Sequence, residues 1–155
     1  MAQVIIYTDG AAKGNPGNGG YGIVLMAGKH RKEVQEGYRH TTNNRMELLA
    51  VIVAMEMLKG GPHEVHIYSD SKYVVDAVNK RWVFGWQKKG FKGKKNVDLW
   101  QRFLRIFPKH RVAFHWVKGH ADNPWNERCD ELAVEAAEGS KLLIDQGYEA
   151  ENGAP

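Results

Sequence analysis

The chain of 155 residues has a single cysteine, Cys129, so no disulfide framework can form within it and a reducing compartment is expected. Cys129 falls on the apolar face of an expected helix, the place of a small core residue rather than a reactive thiol. No apolar run is long enough to span a bilayer. The first one, Val4-Ile5-Ile6-Tyr7-Thr8, is too short for a secretion signal and lacks its basic lead-in, so a cytoplasmic protein without membrane contact is expected. Neither C-x-x-C nor H-E-x-x-H occurs, which argues against a zinc centre. There is no internal repeat and no linker, so one domain, and a monomer, is expected. Acidic residues are missing altogether between Asp76 and Asp98.

What is present suits a compact domain: 43% of residues are hydrophobic, enough for a real core, and the net charge of +4 hints at an anionic partner. A β-branched and aromatic strand is expected at 3–9, followed by a glycine-rich loop through Gly20. Strands near 21–27 and 32–40 follow, with Ala27-Gly28-Lys29-His30 as a hairpin turn. The apolar spacing of Leu48, Val51, Ile52, Met55 and Leu58 predicts a helix over 43–58, stopped by Gly60-Gly61-Pro62. A strand at 64–69 leads to helices at 71–79, 81–88 and 97–107, a strand at 111–117 and a helix at 127–138. The pattern fades after Gly139, so residues 1–139 form the expected domain and 140–155 a loosely attached tail. Three consecutive strands with short turns pair antiparallel, and helical crossovers imply parallel neighbours. The fold class is therefore α/β, a mixed sheet flanked by helices.

Four acids sit where elements begin or end. Asp9 closes the first strand, Glu47 lies in the first turn of a helix, Asp70 follows the strand Val65-His66-Ile67-Tyr68-Ser69, and Asp130 opens the last helix. Each has a purely structural reading. Asp9-Gly10 is a turn pair, Asn44 and Glu47 form a capping-box pattern, Asp70 can cap a helix, and Asp130 can complement a helix dipole. Geometry shifts the balance, because Asp9 and Asp70 both lie at the edge where α/β sheets gather ligands. On adjacent strands their carboxylates are about 5 Å apart. Two such charges repel by roughly 3 kcal/mol at an effective dielectric near 20. The site then holds protons or a cation, and an all-oxygen donor set favours Mg²⁺ or Mn²⁺. His120, past a strand and beside Gly119, is suited to moving protons near neutral pH.

The acid-free interval carries Lys80, Arg81, Lys88, Lys89, Lys92, Lys94 and Lys95 among Trp82, Phe84, Trp86 and Phe91, with glycines at 85, 90 and 93. A solvated lysine face over a core is one reading. A cationic protrusion that tracks a phosphate backbone is the other. Small polar groups in Gly14-Asn15-Pro16-Gly17 and Thr41-Thr42-Asn43-Asn44-Arg45 stand close to Asp9 and Glu47 in sequence, where they can cap and turn the chain or reach a minor groove and its 2′-hydroxyls.

Eight motifs in order carry a resemblance: Tyr7-Thr8-Asp9-Gly10, Gly14-Asn15-Pro16-Gly17, Gly19-Gly20-Tyr21-Gly22, Thr41 through Leu48, Ser69-Asp70-Ser71, Asn96-Val97-Asp98-Leu99-Trp100, Trp116-Val117-Lys118-Gly119-His120 and Asn126 through Ala133. Together they resemble bacterial type 1 ribonuclease H from about residue 4 to 137. The resemblance implies a five-stranded mixed sheet with helices on both faces. It implies an endonuclease that cleaves the RNA strand of RNA–DNA hybrids with two Mg²⁺ ions, leaving 3′-hydroxyl and 5′-phosphate ends. It makes Asp9, Glu47, Asp70 and Asp130 the metal ligands and His120 an aid to proton transfer or product departure. Asn15, Asn43 and Asn44 would contact the hybrid, and Thr42 would hold a DNA-strand phosphate with Arg45 nearby. The stretch from Arg81 to Lys95 matches the family's basic protrusion, with Trp82 and Trp86 as its framework and Lys88 and Lys89 as grip.

Three departures stand out. Lys72 replaces a frequent glutamine, turning a groove hydrogen bond into a phosphate contact; the protrusion is short between Phe91 and Asn96; and the histidine loop carries Asp122 and Trp125. The alternatives are a non-catalytic hybrid-binding module, which would have lost an acid, and another nuclease or strand-transfer enzyme of the same fold, such as a junction resolvase or integrase core. All four acids are present, and the helix start at 43–48 and the lysine-rich protrusion argue against the second.

Overall fold

The computed structural model describes residues 3–119 and 123–155. Six strands form one sheet in the order β5-β4-β1-β2-β3-β6. They are β1 (Gln3–Lys13), β2 (Gly17–Ala27), β3 (His30–Thr41), β4 (Glu64–Ser69), β5 (Arg111–Trp116) and β6 (Leu142–Leu143). The helices are α1 (Asn43–Glu56), α2 (Lys72–Asn79), α3 (Trp82–Lys88), α4 (Val97–Ile106), α5 (Pro124–Glu138) and α6 (Gln146–Asn152). β1, β2 and β3 pair antiparallel, while β4 lies parallel to β1 and β5 parallel to β4. This is the expected mixed α/β sheet with one short strand more, since β6 pairs parallel with β3 through Gly37–Leu142 and Tyr38–Leu143.

Alternation along the strands divides the core between two faces. Ile6 and Ile23 face the main core with Met46, Ile52 and Trp100. Their neighbours Tyr7 and Val24 face α5, where they meet Cys129 and Leu132. The glycine-rich stretch is not a loop. β1 runs on to Lys13, turns at 14–16, and returns as β2 in register Lys13–Asn18 to Asp9–Gly22. Gly22 is there for closeness, because a Cβ on it would lie 2.3 Å from the Cys129 carbonyl oxygen of α5.

The segment expected to hang loosely is tied down. Asp145 is buried, caps α6 at Tyr148 N, and its Oδ2 accepts from Thr41 Oγ1 at 2.7 Å. Arg45, only 2% exposed, bridges three parts of the chain. Its guanidinium donates to Asp145 at 2.7 and 2.9 Å and to Asp98 at 2.9 and 2.8 Å, joining α1, α4 and the C-terminal segment. An arginine fork matches two carboxylates well, so the burial of these charges is compensated. Under the protrusion, Trp100 donates from Nε1 to the Tyr73 hydroxyl and packs edge-on against Trp86 and Phe103. Among the described residues, no helix is long and apolar enough to cross a membrane.

Candidate active site

Three acids meet at the edge of the sheet beside the start of α1. One oxygen each from Asp9, Glu47 and Asp70 lies within 4.8 Å of the others. Asp9 stands within β1, one residue beyond the last β1–β4 pair, Thr8–Ser69, and Asp70 follows β4 directly. Glu47 reaches them because Gly10 has no side chain: a Cβ there would come within 2.4 Å of the Glu47 amide nitrogen. Asp130, from α5, completes the lining of a recess of about 480 Å³.

The local structure removes the capping explanations for these acids. The N-cap of α1 is Thr42, whose hydroxyl accepts from Arg45 N at 3.2 Å, so Asn44 is not the cap and Glu47 lies beyond the capping-box position. α2 is capped by Ser71 at Val74 N, not by Asp70. α5 begins at Pro124, capped by Asn123, so Asp130 is well inside the helix rather than opening it. Asp9 alone keeps a turn-like bond, accepting from Gly10 N at 2.9 Å.

Burial then shapes the electrostatics. Asp9 is 4% exposed; burial, then the charges of Asp70 and Asp130, push its carboxyl up to about 8. Glu47, 5% exposed, is raised well above its ordinary value by burial and then by Asp9 and Asp70. Its Oε1 is buried without a hydrogen-bond partner. A partnerless buried carboxylate oxygen facing two other acids is a donor set that could hold a metal ion in place of the protons the cluster otherwise takes up.

The polar residues near the acids are partly brought together. Asn15 Oδ1 accepts from Asn43 N at 3.1 Å, tying the β1–β2 turn to the start of α1. Asn43, Asn44 and Lys72 line the acid recess. A second recess of about 400 Å³ next to it is lined by Asn15, Thr42, Asn44, Asn96 and Tyr148. Arg45 also lines this second recess beside Thr42, although it is only 2% exposed and its guanidinium is held by Asp98 and Asp145. Asp145 is buried with it, while the Asp98 side chain is 44% exposed. Asn96 and Trp116 were not singled out as site residues in the sequence. Asn96 starts α4 in a left-handed turn (φ 59°), a placement that no local pattern announces.

The protrusion is α3 and the turns after it. Trp82 is 47% exposed with the Lys80 ammonium 5.2 Å from its ring centre. Trp86 is half-buried against Trp100 and carries Lys94 at 4.9 Å on its ring, so it anchors the protrusion. Lys88 and Lys89 are exposed at the end of α3. His120 and Asp122 lie outside the described residues.

Comparison with known proteins places the whole arrangement. The model of the family described as RNase H matches residues 1–138. The chain belongs to the RNase H family. It is 54% identical over 151 residues to the Ribonuclease H of Syntrophus aciditrophicus (strain SB), covering 94% of this chain and 87% of that protein. Among solved structures it is similar to LC9-RNase H1, described as a type 1 RNase H with the type 2 active-site motif: TM-score 0.82, 34% identity, 99% of this chain and 82% of that one. It is also similar to LC11-RNase H1 in complex with an RNA/DNA hybrid: TM-score 0.68, 28% identity, 86% of this chain and 96% of that one.

Proposed function

We propose that this RNase H hydrolyses the RNA strand of RNA–DNA hybrids endonucleolytically, with two Mg²⁺ ions held by Asp9, Glu47, Asp70 and Asp130. The observation that carries the reading is the crowding of three carboxylates within 4.8 Å, one oxygen of which has no partner. When bound, divalent cations supply Lewis acidity, lowering the pKa of a water and neutralising charge at the leaving 3′-oxygen. Mn²⁺, with the same taste for oxygen ligands, can take its place.

The chain's own groups hold and orient the hybrid. Asn15, Asn43 and Asn44 offer amides to 2′-hydroxyls, which the DNA strand lacks. Thr42 uses an oxygen lone pair in the cap, leaving its hydroxyl proton for a phosphate of the DNA strand in the second recess. Lys72 stands at the acid recess ready for a phosphate. Lys88 and Lys89 grip the backbone, with Trp82 and Trp86 as the frame. His120 aids proton transfer or product departure. The products carry 3′-hydroxyl and 5′-phosphate ends, and the protein works as a cytoplasmic monomer.

A substrate panel tests this: labelled hybrid, duplex RNA, duplex DNA and single strands, each with Mg²⁺ and with chelator. Cleavage confined to the RNA of the hybrid and abolished by chelator is expected. Cleavage of duplex DNA with the hybrid left intact would instead assign the chain to another activity of this fold.

A further inference from the structure

We infer that Trp116 and Lys72 form a nucleotide subsite on the β5 side of the acids, which takes a ribose–phosphate unit of the cleaved strand; this rests on the proposed hybrid substrate. Trp116 ends β5 and is 45% exposed, yet it is held fast. Its Nε1–H donates to the Asp70 main-chain oxygen at 3.2 Å, and the Lys72 ammonium sits 4.8 Å from its ring centre. Two elements thus fix one exposed indole beside a metal-ligand candidate, with the charge of an exposed lysine resting on it. A nucleotide needs both an apolar surface for its sugar or base and a cation for its phosphate, and this pair offers both. The surroundings strengthen the case. Three acids crowd the recess and repel a phosphodiester, and Lys72 at its lining offsets that repulsion on this side, with Asn43 and Asn44 offering neutral polar groups along the same lining.

The same contact reports on Asp70. Its main-chain oxygen is held by the indole, and its Oδ2 lies 2.8 Å from the point that a Cβ on Gly119 would occupy. A strand pressing on Trp116 therefore bears on the position of Asp70. Trp116 is a binding residue through its ring and a positioning residue through its N–H.

The test separates the two roles. Steady-state cleavage of a labelled hybrid is measured for Trp116→Phe, Trp116→Ala and Lys72→Ala at several Mg²⁺ and salt concentrations, with thermal melts as a folding check. Trp116→Ala is expected to raise KM for the hybrid roughly tenfold, the scale of one lost aromatic contact to a nucleotide. Trp116→Phe keeps the ring and should hold KM within about twofold while requiring several times more Mg²⁺ for half-maximal rate. Lys72→Ala should reduce the salt slope of log KM by about one. Wild-type cleavage of the hybrid with an unchanged KM in Trp116→Ala and an unchanged salt slope in Lys72→Ala would overturn the subsite while leaving the hydrolase reading intact. If Trp116→Ala does not fold, the Mg²⁺ requirement of Trp116→Phe and the salt slope of Lys72→Ala decide it: no change in either overturns the subsite. Failure of the wild type to cleave hybrids would instead remove the reading beneath it.

Discussion

Replacing Asp9 by Asn should make the metal-free protein's stability less dependent on pH, and the size of the change follows from the site. The Asp9 carboxyl rises from 3.8 to about 8 on folding, first through burial and then through Asp70 and Asp130. A group raised in this way takes up a proton on folding. The stability it contributes is fully present below 3.8, declines by about 1.4 kcal/mol per pH unit above that, and is lost once the pH passes about 8. Between pH 5 and pH 7 the wild type should therefore lose about 2–3 kcal/mol relative to Asp9→Asn, whose amide stays neutral and still accepts from Gly10 N. Glu47, raised for the same reasons, adds a slope of the same sign in the wild type. Urea unfolding with chelator at the two pH values measures the difference. Mg²⁺ should then restore the wild type at pH 7 and leave Asp9→Asn unmoved. Parallel pH dependences for the two proteins, within about 0.5 kcal/mol, would refute the crowding of acids on which this rests.

Other expectations follow from specific contacts. Gly10→Ala places a Cβ against the Glu47 amide and forces α1 away from β1, so turnover should fall on the order of 100-fold with a stability loss of about 1–3 kcal/mol; near-normal kcat would contradict the close approach. Arg45→Met leaves Asp145 buried without its partner and should cost about 3–5 kcal/mol in urea unfolding, whereas a loss below about 1 kcal/mol would show that the C-terminal segment is not tied down by this pair. Lys88→Ala with Lys89→Ala should weaken hybrid binding and lower the salt slope by about two; unchanged binding would remove the grip role of α3. Metal affinity, measured by calorimetry, should rise from pH 6 to pH 8 as the proton leaves Asp9, and a flat profile would count against its role as a ligand.

Much of the fold could be read locally. Apolar periodicity marked α1, and β-branched runs marked β4 and β5, because these patterns depend only on near neighbours. The glycine-rich stretch misled, since its glycines resemble a loop in composition but serve contacts with α5 and α1 that lie far away in sequence. The C-terminal segment misled for a related reason. β6 is two residues long, and the bond that fastens Asp145 comes from Arg45, a hundred residues earlier, so no periodicity marks it. Arg45 itself reads as a surface cation by residue type and becomes a buried tie only through that partner. The four acids were legible through the ordered motifs around them, yet the position of Asp130, inside α5 rather than at its start, awaited the helix that begins at Pro124.

The most direct test of the central claim is the turnover of a labelled hybrid by Asp70→Asn at saturating Mg²⁺, beside a melt showing that the variant is folded. Ser71, not Asp70, caps α2, so the substitution removes a carboxylate charge without removing a cap. A folded variant slowed by three orders of magnitude or more is the result the account predicts, on the scale of what a bound cation contributes to phosphoryl transfer. A folded variant that cleaves the RNA strand at close to the wild-type rate would contradict it.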